Sequence, residues 1–175
     1  QVDLLIRLAN GLLFLTRLEQ KSLDLEAVEL SPLLQELIAH LQTIAAEKGI
    51  VLKDKIASDL LILGHSDYLT SLFLNLLDNA LKYTPKQGQV FLEAYAVPGL
   101  VKIDITNTGT GIPREALPHI FERFYRVETD RSRHTGGSGL GLAIAQEIVR
   151  LHQAEMTVTS TVGEYTRFSL SFTGF

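Results

Sequence analysis

The stretch NLLDNALKYTP, residues 75–85, combines an apolar helical stripe with amide side chains. On a helix, Asn75, Asn79 and Lys82 fall within a narrow arc. The apolar residues of the same helix point to the other side: Leu69, Phe73, Leu76, Leu77 and Ala80. Asn is a poor helix-interior residue, and carboxamide oxygens suit a Mg²⁺ ion that bridges to phosphates. The segment therefore predicts either a metal and phosphate site, with Lys82 supplying positive charge, or an ordinary solvated helix face.

Two glycine-containing stretches follow this helix. In NTGTGIP, residues 107–113, Gly109 and Gly111 permit positive φ and a close approach of the backbone to a flat ligand. In GGSGLGLAIA, residues 136–145, a glycine-rich loop runs into an apolar helix, whose unpaired N–H groups suit phosphate. This loop does not end in the Lys-Ser/Thr pair of a nucleotide P-loop, and no strand directly precedes it as in a dinucleotide fingerprint. Taken singly, a plain turn and a flexible linker also explain the two stretches.

The composition limits the classes of function. A chain of 175 residues that is 46% hydrophobic is expected to form one globular domain with a real core. The net charge of −4, without a cluster of Lys and Arg, argues against nucleic acid as a partner. There is no Cys for a disulfide or a thiolate metal site. The apolar runs are much shorter than the ~20 residues of a membrane helix. We therefore expect a cytoplasmic chain without membrane contact, whose parent could still be membrane-anchored.

Hydrophobic periodicity predicts an α+β fold. A first helix has a seam of four leucines, Leu5, Leu8, Leu12 and Leu15. Ser31 is predicted to be the N-cap of a second helix, with Pro32 at its first position. The remaining predicted elements are strands at IVLKDKI and LLIL, a helix at 67–83, a hairpin around residues 98 and 99, a helix near 114–124, a long loop at 126–139, a helix at 140–152 and two closing strands. This order predicts one mixed, mainly antiparallel sheet that helices cover on one face.

In this order along the chain, the three segments resemble the ATP-binding catalytic domain of sensor histidine kinases. The wider superfamily includes type II topoisomerase, chaperone and mismatch-repair ATPases. NLLDNALKYTP is similar to the N box of the family, NTGTGIP to its first glycine box, FERFYR (residues 121–126) to its phenylalanine box and GGSGLGLAIA to its second glycine box. The resemblance covers residues 29–173. It implies a Bergerat-type α/β sandwich that binds ATP with Mg²⁺.

Residues 1–25 are similar to the second helix of the dimerisation and phosphotransfer hairpin that precedes this domain in the family. The implied division is a partial hairpin at 1–25 and the ATP-binding domain at 26–175. The hairpin normally carries the phosphoacceptor His on its first helix. No His of this chain lies in such a context: His40, His65, His119, His134 and His152. The resemblance thus implies that the chain holds the catalyst and not the acceptor.

The resemblance also implies roles for individual residues. Asn79 would coordinate Mg²⁺, and Asn75 would help to hold the metal and the phosphates. Lys82 would contact phosphate and Tyr83 would lie against the adenine. Arg123 and Arg126 are implied contacts of the γ-phosphate. The other implied nucleotide contacts are Asn107, Gly109, Gly111, Ile112, Gly137, Ser138, Gly139, Leu140, Gly141 and Thr166, with residues 125–138 as the ATP lid.

Asn75 favours one reaction type over another. In the hydrolysing relatives the matching position resembles a Glu that activates water, whereas an amide cannot take a proton near neutral pH. The sequence therefore favours transfer of the γ-phosphate to a His on the hairpin, for relay to an Asp of a response-regulator receiver domain. In the full-length parent, the hairpin implies a dimer.

Two residues depart from the family pattern. Asn107 stands where the family has an Asp that accepts the adenine amino hydrogen bond, and Tyr165 stands where a second glycine is usual. An amide oxygen can still accept that bond, but without charge assistance, at a loss on the order of 1–3 kcal/mol. Asn107 is compatible with a natural or an engineered weakening, with altered base preference, or with a degenerate pseudokinase that acts as an interaction module. Tyr165 either repacks the start of a strand or crowds the pocket.

Overall fold

The computed structural model describes residues 9–16, 24–127 and 138–174. The elements in chain order are α1 (9–16), β1 (Glu26–Glu29), α2 (Leu30–Glu47), β2 (Val51–Ile56), β3 (Leu61–Gly64), α3 (Ser66–Tyr83), β4 (Gln89–Val97), β5 (Leu100–Thr108), α4 (Gly141–Leu151), β6 (Glu155–Thr161) and β7 (Tyr165–Thr173). No helix within these described stretches is long and apolar enough to cross a membrane.

The main sheet has five strands in the order β2-β4-β5-β7-β6. Strand β2 pairs with β4 in parallel, and the other three pairings are antiparallel. A small second sheet joins β1 to β3 in antiparallel register. The α+β class and the mainly antiparallel, mixed sheet are confirmed. The described residues nevertheless form two sheets where one was expected, because β1 and β3 pair with each other outside the main sheet.

The core lies between the sheet and the helices. Val101, Ile103 and Ile105 alternate inward along β5, as their spacing predicts. They meet the apolar face of α3, whose five predicted core residues are all buried: Leu69, Phe73, Leu76, Leu77 and Ala80. Each buried Leu or Phe of this face contributes about 1.5–3 kcal/mol through burial. Burial of this face turns the opposite, amide-bearing side of α3 away from the core.

Two local predictions are wrong. Residues 114–124 form a series of tight turns and not a helix, because Pro118 lacks an N–H and its ring clashes with the preceding turn of a helix. Ser31 does not cap α2, which begins at Leu30 with Glu29 as its N-cap. The Ser31 hydroxyl instead donates to the Ala57 carbonyl at 2.8 Å and accepts from the Leu60 N–H at 3.0 Å. It thereby ties α2 to the loop that precedes β3.

Helix α1 packs against the rest of the described chain. Leu15 is only 1% exposed and belongs to the common core. The Phe14 ring meets the Tyr68 ring edge-on, with centroids 5.6 Å apart. Leu12 and Leu13 face outward and are exposed. The predicted leucine seam is therefore divided: Leu15 faces the domain, Leu12 does not, and Leu5 and Leu8 lie outside the described residues.

A buried histidine joins the end of α4 to the start of α3. Nδ1 of His152 bonds to the Ile148 carbonyl at 2.8 Å, and Nε2 accepts the backbone N–H of His65 at 3.0 Å. Since a carbonyl can only accept, Nδ1 carries the proton and the ring is neutral. Burial lowers the pKa of His152 below 6.5, and the charge of His65 acts in the same direction.

We predict that the free energy of unfolding falls as the pH drops below about 6.5. The unfolded His152 takes up a proton there while the folded ring stays neutral, so stability decreases by up to about 1.4 kcal/mol per pH unit until the folded pKa is reached. Urea unfolding between pH 5 and 8 measures this slope. His152→Gln should flatten it, and His40→Gln controls for the loss of an exposed His. An unchanged slope in His152→Gln would contradict the assignment.

Candidate functional site

A cavity of about 660 Å³ opens between α3, the end of β5, the turns before residue 127 and the N-terminus of α4. Thirteen of the residues predicted for the site line it: Asn75, Asn79, Lys82, Tyr83, Asn107, Gly111, Ile112, Arg126, Ser138, Gly139, Leu140, Gly141 and Thr166. Segments far apart in sequence thus converge on one space. Whether each lining residue contacts a nucleotide stays a prediction.

Three predicted site residues stand apart from this set. Gly109 and Arg123 do not line the cavity, and the positive charge of Arg123 instead helps to lower the pKa of Glu147 on α4, after the larger effect of Arg150. Gly137 lies outside the described residues, as does most of the predicted lid. Tyr165 does not line the cavity either, and it opens β7 opposite Thr108.

Ten lining residues had no individual role assigned from the sequence: Gly11, Asp78, Thr84, Pro85, Thr110, Ile120, Tyr125, Val127, Leu142 and Ile144. Six of them lie inside the quoted segments 75–85, 107–113 and 136–145, and two more belong to the predicted lid, so assigning whole segments to the site would have found them. Gly11 is different, because it reaches the cavity only through the packing of α1. A Cβ at Gly11 would lie 2.9 Å from Cδ1 of Leu140. No local pattern in the sequence indicates that contact.

The amide stripe of α3 forms one wall of the cavity. Nδ2 of Asn75 donates to the carbonyl of Ser71 at 2.8 Å, which orients the carboxamide. Lys82 Nζ donates to the Tyr83 hydroxyl at 3.1 Å and lies 4.7 Å from the centroid of that ring. Asn75, Asp78 and Asn79 present hard oxygen donors to the same space. Such a donor set, poor in carboxylates, fits a Mg²⁺ ion that keeps several waters and bridges to phosphates.

His, Cys, Asp and Glu do not supply a metal site here. Among the described residues, no three of these side chains are grouped closely enough to hold an ion. A metal in this cavity would therefore depend on the amides and on its ligand.

Asn107, near the end of β5, also lines the cavity and is only 4% exposed. Its Nδ2 donates to the Thr108 carbonyl at 3.2 Å, so the carboxamide has a defined orientation in which its oxygen can accept a bond. Thr166 is its register partner on β7 and is also buried. The Thr166 hydroxyl pairs with that of Ser160 at 2.9 Å, which in turn accepts the Ile112 N–H at 2.8 Å. These bonds hold the end of the sheet in one arrangement.

Gly109 and Gly111 allow the main chain to approach other main chain, where the sequence suggested a flat ligand. A Cβ at Gly109 would overlap with the carbonyl oxygen of Tyr83, and one at Gly111 would overlap with that of Thr161. Gly111 also has a φ of +68°. The two glycines therefore bring the ends of α3 and β6 against the loop that follows β5. Gly111 lines the cavity. Gly109 does not line it, but allows the main chain to approach the end of α3.

The described part of the second glycine segment, from residue 138 onward, forms another wall of the cavity. Gly139 has a φ of +71°, and a Cβ there would lie 2.8 Å from Cα of Phe124. The Phe124 N–H donates to the Gly139 carbonyl at 2.9 Å. Phe121 packs edge-on against Phe168, whereas the side chain of Phe124 is exposed. Helix α4 starts at Gly141, and no side chain of the described residues caps it, so its N-terminus is suited to an anion.

Comparison with known proteins identifies the family. The model of the histidine kinase-, DNA gyrase B- and HSP90-like ATPases matches residues 64–173. The chain belongs to this family. The curated relatives of this ATPase domain include the sensor histidine kinase RppB of Synechocystis sp., which is 38% identical over 95% of the chain. The chain spans 27% to 38% of the length of the first curated relatives it matches.

Solved structures of histidine kinases share the architecture of this ATPase domain. Full-length ShkA, crystallised in complex with AMPPNP, superimposes on 97% of the chain and 36% of its own length, with a TM-score of 0.83 and 30% identity. The mycobacterial sensor histidine kinase MprB matches 86% of the chain and 97% of its own length, with a TM-score of 0.70 and 30% identity. The resemblance to a histidine kinase catalytic domain is thereby confirmed.

The contact made by Gly111 predicts a steric cost. Gly111→Ala should lower the free energy of unfolding by about 1–3 kcal/mol more than Gly99→Ala, because the added methyl group must displace main chain. Gly99 is a matched control, since its φ of +75° is similar and a Cβ there would meet nothing within 4 Å. Urea unfolding of the two variants measures the difference. Equal losses would show that only the backbone conformation requires glycine at 111.

Proposed function

We propose that this ATPase domain binds ATP with Mg²⁺ in the cavity and acts as the catalytic part of a two-component sensor histidine kinase. The convergence of the α3 amide stripe, the end of β5 and the N-terminus of α4 on one cavity carries the proposal. The γ-phosphate passes to a His on the first helix of a dimerisation and phosphotransfer hairpin. An Asp of a response-regulator receiver domain then takes it. The full kinase acts as a dimer.

The wall made by α3 and α4 receives the phosphates. The first N–H groups of α4 and the positive charge of Lys82 both favour anionic oxygens. Asn79 and Asn75 hold the Mg²⁺ ion, which neutralises charge on the phosphate oxygens when it is bound. Arg126 also lines the cavity and adds positive charge. Binding at this wall therefore positions the phosphates by charge and by main-chain donors.

The end formed by β5 and β7 receives the adenine. The buried Asn107 accepts the amino group of the base through its amide oxygen, since its nitrogen bonds to Thr108. Tyr83 lines the same cavity and lies along the ring. A neutral acceptor binds an amino group more weakly than a carboxylate does. ATP binding is therefore expected to be weaker than with Asp at this position.

The chemistry is transfer and not hydrolysis. Asn75 occupies the place on α3 from which a base would act on water, and its amide cannot accept a proton. Phosphoryl transfer needs positioning and charge neutralisation more than covalent help from the protein. The residues described above supply both. The interaction-module alternative has less support, because the amide stripe is intact and the named relatives include sensor histidine kinases.

Calorimetric titration of Mg·ATP tests the proposal. The parent chain should bind, and Asn107→Asp should bind roughly 5- to 150-fold more tightly, because the carboxylate restores a charge-assisted bond. Binding by Asn107→Asp alone would mean that the natural pocket is disabled. Failure of both to bind ATP would contradict the proposed function.

Asn79→Ala separates the metal from the rest of the site. Loss of a metal ligand should weaken binding of Mg·ATP by at least about 10-fold, since even the outer-shell partners of metal ligands contribute that much. The same variant should bind ATP without Mg²⁺ nearly as the parent does, which serves as the matched control. An equal loss with and without the metal would remove Asn79 from the metal site.

A further inference from the structure

Gly141, the first residue of α4, faces the side chain of Asn75. A Cβ at position 141 would lie 2.9 Å from Oδ1 of Asn75 and 3.8 Å from its Cγ. Apart from the α4 backbone and the adjoining residues, these two atoms are the only ones of the described residues within 4 Å of that point. The carboxamide of Asn75 therefore occupies the room that a side chain at 141 would need.

The backbone conformation does not explain this glycine. Gly141 lies in regular α-helix, and its φ is not in the positive range, in contrast to that of Gly139. Alanine adopts helical φ more readily than glycine does and is the better helix former. What alanine would change at 141 is the space next to Asn75.

Asn75 is also held from its other side. Its Nδ2 donates to the Ser71 carbonyl at 2.8 Å, and the Ser71 hydroxyl lies 3.5 Å away. The carboxamide is thus fixed between one turn of α3 and the first turn of α4. A methyl group at 141 would require Oδ1 to move, and the bond from Nδ2 to Ser71 resists rotation of the carboxamide.

We propose that Gly141 is a positioning residue for Asn75, and that its missing Cβ keeps the carboxamide oxygen directed into the cavity. The proposal rests on the proposed binding of Mg·ATP, and it assigns Gly141 a role distinct from direct contact with phosphate. A direct contact would use the Gly141 N–H, which alanine retains. If Gly141 acts through Asn75, the effect of Gly141→Ala on Mg·ATP binding should depend on which residue stands at position 75.

A double-mutant cycle tests this dependence. Gly141→Ala should weaken Mg·ATP binding on the order of 10-fold in the parent, the usual size of coupling between contacting residues. In the Asn75→Ala background the same change should alter the dissociation constant less than about two-fold, since no carboxamide is left to displace. Gly139→Ala is the matched control, because its Cβ would meet Phe124 and not Asn75. Its effect should be the same in both backgrounds.

The melting temperature gives a second readout that needs no ligand. Gly141→Ala should raise the melting temperature by about 2–4 °C more in the Asn75→Ala background than in the parent. In that background the higher helix propensity of alanine is not offset by a contact with the Asn75 carboxamide. If the parent does not bind ATP, the proposed function fails while this thermal cycle still decides whether the two residues are coupled. Equal effects of Gly141→Ala in both backgrounds, in either measurement, would overturn the proposal.

Discussion

The close approach of three pieces of main chain at Gly109 and Gly111 is the constraint on which the cavity depends. Side chains at these positions would overlap with the carbonyl oxygens of Tyr83 and Thr161. Because both are glycine, the end of α3 and the end of β6 meet the loop after β5. That meeting places the amide stripe of α3 beside the strand that carries Asn107, and α4 closes the space from the other side.

Much of this arrangement could be predicted from local patterns. The apolar period of α3 and the alternation along β5 indicate which faces are buried, and Pro98 with Gly99 indicates the hairpin turn. The prediction failed where one residue overrode a pattern, as Pro118 does in the turns of 114–124. The prediction also failed where a contact between residues distant in sequence decides the local structure. Neither the contact of Gly11 with Leu140 nor the bonds of the Ser31 hydroxyl to the loop before β3 leave a signal in the neighbouring sequence.

The site likewise combines features that local sequence predicts with features that depend on tertiary contacts. Residue types indicated a metal or phosphate site with ordinary structural alternatives, and the order of the segments added the resemblance to a nucleotide-binding family. They were not sufficient to say what each glycine touches. Gly109 approaches protein and not the cavity, Gly139 approaches Phe124, and Gly141 approaches Asn75. The glycines of the two segments therefore make room for different parts of the protein, and these three contacts are all with protein atoms.

The most direct test of the account is transfer of phosphate to a histidine supplied separately. The purified chain would be incubated with Mg²⁺, ATP labelled at the γ-phosphate and a phosphotransfer hairpin from a sensor histidine kinase relative. We expect label on the hairpin that is stable to alkali and labile to acid, with little free phosphate. Release of inorganic phosphate without labelled protein would identify a hydrolase instead. Binding of ATP with neither product would contradict the catalytic role.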